Sequence, residues 1–184
     1  MNQLKTINPK QKSIALQKLV TSSPLDVTKK VVSSVMHTLH SKVEERLNKD
    51  FDVIGYNIDD EELTLEQLQE AEKTIQYSMI PLESFATEKE LLKVVALMTK
   101  PREESAQDIA FRCKMIAEKL AHYPADIFLH TCNVISSTKV FFPALAEFKM
   151  VGDYHYFRRK NLLDIVQKSI KKRQNNTKEL ENSA

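Results

Sequence analysis

Two histidines, His37 and His40, stand three apart with Glu44 one turn further on. On a helix that spacing puts two imidazoles and a carboxylate on adjoining faces, as a zinc site requires. No third His or Cys lies at a supporting spacing, so the expected reading is surface and boundary histidines with no metal. The two cysteines, Cys113 and Cys132, fall on apolar helical stripes, where a thiol is usually a small core residue and not an activated nucleophile. The acidic run Asp59, Asp60, Glu61, Glu62 lacks the alternating ligand positions and turn glycine of a calcium loop, and reads as a solvated loop. Neither a Walker-type phosphate loop nor a GxGxxG turn occurs. The chain is therefore expected to be non-enzymatic and to carry no cofactor.

The cations near the C-terminus have more chemistry to offer. Arg158, Arg159, Lys160, Lys168, Lys171, Lys172 and Arg173 are accompanied only by Asp164, and Tyr154, His155, Tyr156 and Phe157 come immediately before them. Stacking groups beside phosphate-binding cations are the composition a nucleic-acid contact uses, so Tyr154, Tyr156 and these seven cations form one candidate interface. A plainer reading stands beside it: the macrodipole favours Lys and Arg in the last turns of any helix, and a basic helix also meets acidic protein surfaces. Exposed charges add only about 0–1 kcal/mol each to folding. Replacing Arg158, Arg159, Lys171, Lys172 and Arg173 with Gln is thus expected to spare the fold and weaken binding.

The elements that must position these groups read as helices. Ser23 before Pro24 is a cap followed by proline, and Val32, Met36, Leu39, Val43 and Leu47 recur at helical spacing, which predicts one long amphipathic helix over about 25–48. Gly55 and Asn57 break the pattern, and 50–62 reads as a loop. Thr64 opens a helix to about Ser78. Thr87 with Glu90 predicts a capped start for an apolar helix 88–99, and Ser105 with Asp108 predicts another through His122. Tyr123-Pro124 and Phe142-Pro143 start helices to about Ser136 and Val151, and Gly152 separates the second from a last helix, Tyr154 to Arg173.

Composition narrows the class further. Hydrophobic residues at 42% and charged residues at 28% are globular values, and two glycines without tryptophan disfavour turn-dense β architectures. The expectation is an all-α helical bundle of about six helices with frayed termini. Its divisions are a flexible basic arm 1–23, the long helix with its acidic loop 24–62, a compact helical domain 63–173 and a disordered tail 174–184. Cysteine usage suggests a reduced compartment, and the most apolar run, Leu91 to Met98, is far short of a membrane span, so a cytoplasmic location is expected. The net charge of +2 does not by itself declare a nucleic-acid partner. The amphipathic long helix suits a homodimer as well as a monomer.

The segments Leu120-Ala121-His122-Tyr123-Pro124-Ala125-Asp126 and Phe141-Phe142-Pro143-Ala144-Leu145-Ala146-Glu147, followed by Arg158 or Arg159, resemble a pattern of small prophage-encoded and alphaproteobacterial helical proteins. There L-x-x-YPAD and W-FP-x-x-x-EL flank one helix. Here Phe141 stands for the tryptophan and Phe148 for the leucine, and the match covers roughly 85–173. More distantly, the order is similar to the small helical phage helicase loaders. That resemblance implies a replication accessory that binds a protein partner, a replicative helicase, with Tyr123, Asp126, Phe141, Phe142 and Glu147 as the partner-binding set. The physical alternative is that the two X-Pro starts fix the ends of one helix and the aromatics simply pack around it.

Overall fold

The structure, a computed structural model, describes residues 8–99 and 104–182. The first seven residues of the expected arm, Pro101 with the start of its polar loop, and the last two residues of the tail lie outside the described residues. Among the described residues the chain is mostly helical, with seven helices and one small sheet: α1 (Pro9–Val20), α2 (Pro24–Thr38), β1 (Val43–Leu47), β2 (Val53–Ile58), α3 (Leu65–Ser78), α4 (Ser84–Ala96), α5 (Ala106–Leu120), α6 (Ala125–Thr138) and α7 (Leu145–Asn182). No helix among them is long and apolar enough to cross a membrane.

The expected helix 25–48 is corrected by the backbone. Helix α2 stops at Thr38, where the Ser41 N–H donates to the Met36 carbonyl (2.7 Å) and the His40 N–H to the His37 carbonyl (3.2 Å), with His40 at φ 47° and Ser41 at φ 62°. That is a Schellman closure with histidine at the left-handed position where glycine is usual. Val43 to Leu47 then pairs antiparallel with Val53 to Ile58, with Glu45 opposite Tyr56 and Arg46 opposite Gly55. The turn between them is held by Asn48, whose side-chain oxygen accepts from the Asp50 and Asp52 N–H groups (2.9 and 2.8 Å). The expected loop 50–62 therefore contains a strand. Gly55 sits in it because the Asn161 side-chain oxygen lies 3.1 Å from where a Cβ would be, and that same oxygen accepts from the Tyr56 N–H (3.1 Å).

Two starts match their local signals. Thr64 and Gln67 form a reciprocal capping box at α3, and Ser105 and Asp108 another at α5. The Thr87 start does not hold: α4 begins at Ser84, and Thr87 is an interior residue whose hydroxyl donates to the Glu83 carbonyl. The arm is corrected in part, since α1 is a capped helix packed on α6 with Leu19 buried. Gly152 does not end a helix, and α7 runs through it and beyond Arg173 to Asn182, where a tail was expected.

The chain divides into two units that cut across its linear order. The first comprises residues through Pro24 with Met79–Tyr156; the second comprises Leu25–Ser78 with residues from Phe157 on. The first unit has a core of Leu91, Val94, Ile116, Leu120, Tyr123, Ile127, Phe128, Phe142 and Phe148. Burial of side chains this large supplies roughly 1.5–3 kcal/mol each. In the second unit the buried apolar residues include Val35, Leu39, Tyr56, Leu68, Ile75, Leu162 and Val166.

Candidate functional site

The partner-binding set belongs to the first unit. Its residues part into a buried group and an exposed group. Tyr123 is buried under α7 and donates to the Asp153 carboxylate, and burial first, then that bond, raises its phenol above the ordinary range. Asp126 is buried in the first turn of α6, and the Ala125 N–H beside it donates to the Ile80 carbonyl (2.9 Å). Phe142 is buried, 5.8 Å from the Phe148 ring, with the Arg112 guanidinium 5.0 Å over it and donating to the Phe142 carbonyl. These three residues are corrected from docking groups to packing groups, because a side chain with almost no accessible surface presents nothing to a partner.

Phe141 is 58% exposed. Glu147 stays at the surface, bonded to Lys139 (2.7 Å) and to the Ala144 N–H (3.0 Å), and those bonds hold its carboxyl below the usual range. Sequence reasoning missed the neighbours of Phe141. The Thr99 N–H donates to the Val140 carbonyl (2.8 Å), joining the end of α4 to the segment after α6. Val140, 64% exposed, directly precedes Phe141, and Leu97, 75% exposed, lies two residues before Thr99. Their common signal is apolar residues placed where two helices end, outside any stripe.

The nucleic-acid set is split between units, with Tyr154 and Tyr156 in the first and the seven cations in the second. Within the second unit most of the cations already have partners. Arg158 meets Glu45 (3.4 Å), Lys160 pairs with Asp164, Lys172 donates to Asp60 (2.7 Å), and Arg173 donates to the Asp60 and Glu61 carbonyls. Lys42 adds bonds to Asp59 (3.1 Å) and Glu62 (3.2 Å) from the start of β1. The acidic run 59–62 is exposed at Asp59, Glu61 and Glu62, as a solvated loop is, while the Asp60 carboxylate meets Lys172 on α7 and Asp59 and Glu62 meet Lys42. Across the whole unit carboxylates slightly outnumber cations.

Arg159 is corrected outright. It is 1% exposed, its Nε donates to Thr28 Oγ (2.9 Å) and its Nη1 to the Ser78 carbonyl (2.9 Å), so it is an internal anchor and not a phosphate ligand. A signal was present: Arg159, Leu162, Val166 and Ile170 fall at spacings of three, four and four, on the apolar stripe itself. Lys168 and Lys171 are exposed.

Asp60 makes this charge network sensitive to acid. Burial works to raise its carboxyl, but hydrogen bonds from Lys172 and Ser169 and the charges of Lys172 and Arg173 outweigh burial and hold it below the usual range. A folded value below the unfolded one gives stability that is complete above the unfolded value and is lost as pH falls through the folded one. Thermal melts are expected to fall as pH drops below about 4. Asp60→Asn should flatten that part of the profile, and an unchanged profile would remove Asp60 from the account.

Cys113 and Cys132 are buried free thiols; burial raises Cys113, and burial with the nearby Glu90 pushes Cys132 up to about 12. Such thiols are protonated packing groups at neutral pH. His37, His40 and Glu44 do not share a helix, since His40 follows α2 and Glu44 lies on β1. Among the described residues no three His, Cys, Asp or Glu side chains converge as a metal site. Compared with family models, curated proteins and solved structures, the chain has no match.

Proposed function

We propose that this chain is a non-enzymatic accessory protein acting by protein–protein contact, of the prophage replication-adaptor, helicase-loader-like kind that its YPAD and FFP segments resemble. The observation that carries the reading is the exposed edge of Leu97, Val140 and Phe141. All three are more than half exposed, and the Thr99–Val140 hydrogen bond brings the residues just after α4, which include Leu97, to the segment that carries Val140 and Phe141. Apolar clusters of this kind cost solubility and are found where a partner covers them, with aromatic anchors at their centre. Direct nucleic-acid binding by the basic helix is the weaker reading, because that helix finds its carboxylates within its own unit.

Two neighbouring phenylalanines provide the test. Phe141→Ala is expected to change stability by no more than about 0.5 kcal/mol and to abolish capture of a replicative helicase from the native host. Phe142→Ala is expected to cost roughly 3–5 kcal/mol and to lower the melting temperature of the first unit. Capture should also survive added salt, whereas a contact made through phosphates would weaken steeply. Retention of the partner by a folded Phe141→Ala, or a partner that proves to be nucleic acid, would reject the proposal.

A further inference from the structure

The second unit holds a groove of about 720 Å³ between the β1–β2 hairpin and the C-terminal part of α7, and three cations line it against one carboxylate. Arg46 enters from β1, and Lys168 and Lys172 from successive turns of α7; Asp60 is the one carboxylate among the lining residues. Lys172 is committed to Asp60 at 2.7 Å, with the Ser169 hydroxyl on the same carboxylate. Arg46 and Lys168 are exposed and have no carboxylate within ion-pair distance among the described residues. Lys29, Lys30, Lys49 and Lys171 of the same unit are exposed too, but only Arg46 and Lys168 among these cations line the groove.

From this arrangement we propose that the groove is a binding site for a small phosphate-bearing molecule of the nucleotide class. Like charges held on facing elements repel, and an anion seated between them removes that cost while accepting charge-assisted hydrogen bonds from both sides. The volume lies within the roughly 300–1,000 Å³ of small-molecule sites, which is far more than one ion requires. Ile58 and Ile165 give the groove an apolar wall beside the cations, and Asn57 adds a neutral hydrogen-bonding group, so a flat, partly apolar moiety joined to phosphate fits the lining. A polymeric nucleic acid fits less well: carboxylates slightly outnumber cations over the unit, which leaves no broad positive field to attract a long phosphate backbone. Asp60 occupies the Lys172 end as an internal anion, and a bound phosphate would compete with it for that ammonium. The site is independent of the exposed apolar edge and does not rest on the adaptor reading.

Calorimetric titration of the full chain with ADP at low salt tests the site, with adenosine and a short single-stranded DNA as comparison probes. ADP is expected to bind, and adenosine to bind at least tenfold more weakly. Arg46→Gln and Lys168→Gln, both exposed positions whose folding circular dichroism checks, should each weaken ADP by about tenfold, the scale of a lost charge-assisted hydrogen bond. Asp60→Asn, if folded, should bind ADP several-fold more tightly because Lys172 is released. The proposal is overturned if ADP fails to bind at about millimolar concentration or if adenosine matches it. It is equally overturned if the Arg46→Gln, Lys168→Gln double variant binds like the parent, or if the DNA binds with a steep salt dependence while ADP does not.

Discussion

Arg159→Ala is expected to destabilise the second unit by about 3–5 kcal/mol, an effect of the same size as that of Phe142→Ala on the first. The side chain is 1% exposed and its guanidinium bonds to α2 through Thr28 and to the end of α3 through the Ser78 carbonyl, so one planar fork holds α7 to two other elements. Truncation leaves a cavity of long-side-chain size and also leaves a buried carbonyl without its donor, and each loss is expensive alone. Against a total stability of roughly 5–15 kcal/mol for a domain, that is a large share. Arg159→Lys should recover only part of the loss, because a single ammonium cannot reproduce the paired geometry. Lys171→Gln, one helical face away and exposed, should stay within about 0.5 kcal/mol. Urea unfolding checks the ranking, and amide exchange should show the loss of protection concentrated in α2, α3 and the C-terminal part of α7. An Arg159→Ala protein as stable as its parent would mean the fork is not an anchor.

That ranking reverses the expectation drawn from the sequence, where Arg159 was one cation among seven. The difference is one of register: neighbouring residues on a helix point about 100° apart, so Arg158, Arg159 and Lys160 have three different environments although their chemistry is alike. Helix α3 and helix α5 were legible because a capping box is a local exchange between residues three apart, and nothing distant decides it. The end of α2 was not. Its closure places His40 and Ser41 in left-handed backbone without the glycine that usually marks it, while Val43 and Leu47 satisfy a helical period and a strand alternation equally. A helix running to 48 leaves no hairpin, and without the hairpin there is no facing wall to turn Lys168 and Lys172 into part of a groove. The acidic loop was legible as a charge run, but which cations it would meet depends on contacts more than one hundred residues apart in sequence, such as Lys172 with Asp60. The aromatic segments were legible as an important region for the opposite reason: X-Pro starts and clustered rings are strong local signals. They do not say which ring turns inward, and Phe141 and Phe142 differ only in that.

Gly152→Ala carries a further large expected effect, and its sign is opposite to what helix propensity alone would give. In a solvent-exposed helix interior, alanine in place of glycine gains roughly 1 kcal/mol. At position 152 an added Cβ would lie 2.3 Å from Tyr123 Cε2, 2.9 Å from its Cζ and 3.1 Å from Thr131 Oγ. The ring cannot swing clear, since Tyr123 is fully buried, donates to Asp153 and packs against Tyr156 at 5.5 Å between centroids. Relief therefore requires α7 to move off α6, and forced insertions of this kind cost about 1–3 kcal/mol and sometimes more. Steric overlap exceeds propensity, so Gly152→Ala should lower the melting temperature of the first unit, and Gly152→Val should lower it further. A double-mutant cycle isolates the cause. Tyr123→Phe keeps the ring and loses only the hydroxyl bond, so its effect should add to that of Gly152→Ala. Tyr123→Leu removes the overlapping atoms, so the pair Gly152→Ala with Tyr123→Leu should be clearly less damaging than the sum of its parts. If the leucine pair is merely additive, or if Gly152→Ala is stabilising, the close approach of α7 to the Tyr123 ring is not what this glycine provides.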